Sequence, residues 1–152
     1  MYVVVLFVAW LVISLVQIFF FKTDAGTTLL LNSLVINVGL GGLYAFIGHA
    51  FFADRVAEYI RWPKGSPFQF EVAVTNLGLG VLGILCVWLR GNFWIATIIA
   101  YSVFLLGAAF GHIRQMVKAK NLSAGNVGPV FVADILNPLI LIVLAIIFSM
   151  PA

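Results

Sequence analysis

Two histidines and two carboxylates stand at matched intervals in this chain. Glu71 follows His49 by 22 residues (71 − 49), and Asp134 follows His112 by the same 22 (134 − 112). The segments before the histidines are alike, Ala45-Phe46-Ile47-Gly48-His49 and Ala108-Ala109-Phe110-Gly111-His112. After each histidine come basic residues, a proline and then the acid, with Asn76 and Asn137 beyond. Two imidazoles and two carboxylates are a donor set for a divalent metal such as Zn, Mn or Fe. The two histidines alone could hold a haem b. The same groups could relay protons, bind a transported cation, or act as a general acid and base on a lipid-like substrate. They could also do no chemistry and fix the register of a helical bundle.

The surrounding composition says where these groups lie. Of the 152 residues 64% are hydrophobic and 9% charged, against roughly 25% charged in a soluble domain. Such a chain cannot cover a soluble surface, so its partner is the lipid bilayer. A net charge of +3 from scattered basic residues makes no stripe for nucleic acid. The single cysteine, Cys86, lies in an apolar run and reads as a small buried hydrophobe. No serine or cysteine nucleophile motif is present, so the chain reads more readily as a non-enzyme.

About 20 apolar residues cross a bilayer, and five runs qualify: roughly 2–21, 28–53, 67–89, 93–116 and 129–149. The first is apolar from its start, with no basic region before it, and reads as a retained span. Past the second span an amphipathic turn or two carries Asp54 and Glu58, until Arg61-Trp62-Pro63 ends it. Ser66, Pro67 and Gln69 form a capping-box start for the third span. Arg114 is the expected partner of Asp54 or Glu58, which stand four apart on one helical face. Short loops imply antiparallel neighbours.

The fold class is therefore an all-α integral membrane protein, a five-transmembrane-helix bundle. Its four-helix core consists of two parallel-repeated hairpins, with the N-terminal helix added outside them. Arg55, Arg61, Lys64, Arg114, Lys118 and Lys120 fall on one side, Lys22 and Arg90 on the other. The positive-inside rule puts the first side, and the N-terminus, in the cytoplasm. His49, Glu71, His112 and Asp134 then share one layer in the cytoplasmic third, supported by Asp54, Glu58, Asn76, Arg114 and Asn137. Pro138 removes the hydrogen bond to the carbonyl of Asp134 and should kink the fifth helix there.

Gly78-x-Gly80-x-x-Gly83 resembles a dinucleotide fingerprint but lies inside an apolar span with no strand before it, so it is no nucleotide site. With Gly39, Gly41, Gly42, Gly48, Gly107 and Gly111 it reads as close helix packing. Trp10, Trp62, Trp88 and Trp94 read mainly as interfacial belt residues.

The stretch GHAFFADRVAEYIRWPKGSPFQFEVAVTNLGLGVLGILCVW, followed by RGNFWIAT and GAAFGHI, resembles a prokaryotic membrane-protein family of unknown function, domain-of-unknown-function family 6790. The resemblance runs from about Gly48 to Pro138. It implies a small multi-pass protein of the prokaryotic inner membrane and supplies no activity or cofactor. A divalent-metal or other small-ligand protein, a small proton-coupled transporter or channel subunit, and a structural subunit all remain open. So does a homo-oligomer or larger membrane complex as its assembled form.

Overall fold

A computed structural model describes residues 2–148. Among them, five helical segments are long and apolar enough to cross a membrane: Tyr2–Phe21, Ala25–Phe51, Phe68–Leu85, Asn92–Ala119 and Ala124–Ile147. The chain is thus an all-helical, multi-pass membrane protein. The expected end of the last span at Ser149 lies outside the described residues.

The first span is one helix, α1 (Tyr2–Phe21). Lys22, in the left-handed region at φ 55°, stops it. Asp24 then starts the next helix by accepting a hydrogen bond from the Thr27 N–H at 2.8 Å. That cap moves the start of the second span from the expected Thr28 back to Ala25. That backbone hydrogen bond first, and the Thr27 side chain second, hold the Asp24 carboxyl below its ordinary range. A group shifted this way contributes stability above its unfolded pKa and loses it as pH falls through the folded value. Asp24→Ala should therefore lower the melting temperature slightly at neutral pH, and the difference from wild type should vanish in acid.

The second span changes character midway. α2 (Ala25–Ser33) passes into a π-helical segment, Leu34–Leu40, and then into α3 (Gly41–Phe51). A break at Phe52 separates the amphipathic α4 (Ala53–Ile60), which ends on Arg61 at φ 56°. α5 (Phe68–Leu85) runs back across, α6 (Asn92–Ala119) returns, and the short α7 (Ala124–Val127) leads into α8 (Pro129–Ile147).

Packing is closest within two hairpins, α3 and the π segment against α5, and α6 against α8. α1 lies along α2 and the π segment and touches α8. In the first hairpin the backbones nearly touch. A Cβ on Gly42 would come within 2.8 Å of Gly80 Cα, and one on Gly83 within 2.6 Å of the Leu34 carbonyl oxygen. Gly78 and Gly107 differ from expectation, because nothing lies within 4 Å of a Cβ on either. The tryptophans differ too. Trp10 and Trp94 are buried, and their indole N–H groups donate to the carbonyls of Leu29 and Cys86, both at 2.9 Å. Only Trp88 among the four is as exposed as a belt residue should be, at 70%.

Candidate functional site

The site is built where two loops meet the ends of α6 and α8. α4 and α7 pack on each other, with Gly125 seated directly on the Tyr59 carbonyl, where no Cβ would fit. Asn121 donates to the carbonyls of Ile60 (2.8 Å) and Arg61 (3.4 Å), tying the second loop to the first.

Asn126, fully buried, is the hub. Its amide nitrogen donates to the carbonyls of Asn121 (2.9 Å) and His112 (3.2 Å). Its amide oxygen, Oδ1, accepts from Trp62 Nε1 at 2.9 Å and meets His112 Nδ1 at 2.9 Å. With both amide N–H groups given to carbonyls, Oδ1 is the acceptor in that last contact and Nδ1 must carry the hydrogen. Trp62 and Phe131 flank the ring, with centroids 5.4 and 6.1 Å away. The other ring nitrogen, Nε2, then faces Asp134 Oδ2 at 3.7 Å, and both side chains are at least nine-tenths buried. That separation is an ion-pair distance, longer than a hydrogen bond.

Asp134 makes no hydrogen bond of standard length among the described residues, and it lines a cavity of about 40 Å³. At roughly 10–15 Å³ per probe-sized molecule, that is room for two or three waters, or for a small ion with one or two waters. Asn37 of the π segment, Asn76 of α5, Tyr101 of α6 and Asn137 of α8 complete its polar wall, and Tyr2 of α1 lines it as well. Each amide nitrogen is engaged: Asn37 with Ser33 Oγ (3.1 Å), Asn76 with the Val72 carbonyl (2.8 Å), Asn137 with the Tyr101 hydroxyl (3.4 Å). Their amide oxygens are left without a donor among the described residues, so the wall is rich in acceptors. No lysine or arginine lines it.

A π-helical segment and a helix proline border this cavity. The π segment carries Asn37, and such segments are frequent at functional sites. Pro138, buried in α8, has no N–H to offer the Asp134 carbonyl four residues back.

The four residues expected in one layer do not form one cluster. His112 and Asp134 meet, as their matched depth implies. His49 Nδ1 instead lies 2.7 Å from Gln69 Oε1, and Gln69 Nε2 donates to the Ala53 carbonyl. Gln69 therefore serves His49 and completes no capping box; α5 has no side-chain cap. Glu71 is exposed on the outer face of α5. Among the described residues no three His, Cys, Asp or Glu side chains gather closely enough to hold a metal ion, so the quartet does not fit Zn, Mn or Fe. Haem fits no better, since both nitrogens of His112 already face protein groups.

The supporting residues divide likewise. Asn76 and Asn137 line the cavity as expected. Glu58 pairs with Lys64 at 3.0 Å and Asp54 accepts the Gly65 N–H at 3.1 Å, so Arg114 partners neither and stays exposed. The connection after α4 folds back and supplies those partners locally. Asn37, Tyr101 and Asn126 were missed, although polar side chains inside apolar runs were a signal for the first two. The first span is also less peripheral than expected, because Tyr2, Val3 and Leu6 line the cavity.

Together these features define a multi-pass helical membrane protein with a small polar cavity set against a buried His–Asp pair. The chain belongs to the family described as "Family of unknown function (DUF6790)", whose model matches residues 1–150. A chloroplastic 3-oxoacyl-[acyl-carrier-protein] synthase I of Hordeum vulgare is 32% identical over 96 residues, 62% of this chain and 19% of that protein. The chain therefore matches less than a fifth of that relative's length. No solved structure matches it.

Proposed function

We propose that this protein binds a small monovalent cation in the Asp134 cavity in exchange for a proton, as a small proton-coupled transporter or transporter subunit. The observation that carries this reading is a nine-tenths-buried carboxylate with one face toward an imidazole and the other toward a water-sized, acceptor-lined cavity. With one proton between them, Asp134 and His112 are neutral overall, wherever that proton sits. Loss of the proton leaves a carboxylate beside a neutral imidazole, and a cation in the cavity restores neutrality. Return of the proton expels the cation. Ionisable residues inside membranes commonly serve such pathways, and irregular helix backbone at a cavity is a recurring feature of transporter sites.

In this reading the side carrying α4 and α7 faces the cytoplasm of a prokaryotic cell membrane, with the N-terminus on that side. The excess of basic residues there supports the orientation. Acyl transfer, which the barley relative's name suggests, finds no support in the side chains. Cys86, the only cysteine, is fully buried against Thr97, away from any base of the kind that activates a nucleophile.

The test is a proteoliposome enclosing a pH-sensitive dye. Adding Na⁺ or K⁺ outside should draw protons out of the lumen and raise its pH with wild-type protein, and Asp134→Asn should reduce the response to that of protein-free vesicles. A variant that responds like wild type would remove Asp134 from the mechanism, and a silent wild type would remove the transport reading.

A further inference from the structure

Glu71 and Arg114 are charged residues on membrane-spanning helices, both exposed. Neither has an ion-pair partner among the described residues, where only Lys64–Glu58 and His112–Asp134 occur. Glu71 stands in the first turn of α5 and Arg114 in the last third of α6, and charged groups on membrane-spanning helices commonly pair with one another. Their depths agree. Cys86 Sγ and Thr97 Oγ1, 3.7 Å apart, put those two positions at one level on α5 and α6. From that level Glu71 is 15 residues along α5 (86 − 71) and Arg114 is 17 along α6 (114 − 97). At 1.5 Å per residue the two lie within about 3 Å of each other in height.

The faces that carry them are also unpartnered. On α5, Val74, Thr75 and Gly78 continue outward from Glu71, all exposed. On α6, Val103, at 71% exposure, and Gly107 lead up to Arg114. A Cβ at Gly78 or at Gly107 would meet nothing within 4 Å, so each face has a shallow groove at mid-helix. In a bilayer, helices associate through close van der Waals packing at such small residues and through polar contacts.

We infer that the α5–α6 face binds a second copy of this chain, with Glu71 of each copy paired to Arg114 of the other. The charges favour this occupant over lipid or an unrelated helix. A carboxylate on one helix and a guanidinium on the next, at equal depth, are self-complementary about a two-fold axis along the membrane normal. In such an interface the contact occurs twice.

Full-length protein in phosphatidylcholine vesicles, with subunits counted by single-molecule photobleaching, tests the interface. Wild type should be dimeric. Glu71→Arg alone and Arg114→Glu alone should each weaken dimerisation by about tenfold or more, because each turns two attractions into two repulsions. An equimolar mixture of the two variants should restore dimers as mixed pairs, since each then meets its opposite charge twice. That restoration separates a pair between copies from one within a copy and from misfolding, neither of which mixing can repair. Helical content and melting temperature of the single variants should match wild type. A monomeric wild type, unchanged single variants, or a mixture that stays monomeric would each overturn the inference.

Discussion

Leucine at position 83 should separate α5 from the second span and give the largest loss of stability of any single change at the helix interfaces. A Cβ on Gly83 would lie 2.6 Å from the Leu34 carbonyl oxygen and 2.7 Å from Gly39 Cα, and nearer still to the Gly39 nitrogen. These are backbone atoms and cannot rotate away. Overpacking ordinarily costs about 1–3 kcal/mol, and with backbone as the three nearest contacts the upper end, about 3 kcal/mol, is expected here. Gly78→Ala is the control for a single copy in detergent, where its Cβ would enter open space, and alanine favours a helix interior over glycine by about 0.5–1 kcal/mol. Thermal unfolding in detergent should therefore show Gly83→Leu well below wild type and Gly78→Ala at or above it. Equal melting temperatures for Gly83→Leu and wild type would mean that the glycine contact is not what joins this hairpin.

That contrast between two glycines five residues apart shows what the sequence made legible and what it did not. Hydropathy and proline–glycine punctuation gave all five spans, because each membrane helix must satisfy its own backbone hydrogen bonds over a fixed thickness. The equal spacing of His49–Glu71 and His112–Asp134 gave depth, but depth leaves the direction of a side chain around its helix undetermined. Direction was recoverable from a detail that the repeat does not share. Asn76 follows Glu71 by five residues, about 140° around the helix, whereas Asn137 follows Asp134 by three, about 60° away. With Asn76 and Asn137 both turned to the cavity, Asp134 must face inward and Glu71 outward. The histidines diverge for a related reason: Gln69 is at hand for His49, whereas the loop after α6 brings Asn126 to His112. The π segment had no marker in the sequence. Residues 34–40 read in the sequence like the ordinary helix on either side, and only in the fold are they seen packed against Gly80 and Gly83.

Asn126→Leu should be nearly as damaging as Gly83→Leu, by a different route. Leucine keeps the branched skeleton of asparagine but is bulkier, so overpacking at this fully buried site adds to the cost of unmet hydrogen bonds. The amide makes four: it accepts from Trp62 Nε1 and His112 Nδ1, and donates to the carbonyls of His112 and Asn121. Leucine leaves two N–H donors and two carbonyls without these partners in a fully buried position. At about 1–3 kcal/mol for an unsatisfied buried group, the buried His112 donor alone implies a loss of about that size, and the part-buried Trp62 donor adds less. The loop carrying Asn121 and Asn126 should also come away from α4, and trypsin should then cut at Lys118 and Lys120 faster than in wild type. Asp134→Asn separates this structural role from the proposed chemistry. It removes a group that makes no standard hydrogen bond among the described residues, so it should keep the loop protected and the melting temperature near wild type while abolishing the proton response. If Asn126→Leu melts and resists trypsin like wild type, the hub does not hold the loops together, and the fixed Nδ1–H of His112, on which the pairing of Nε2 with Asp134 depends, loses its basis.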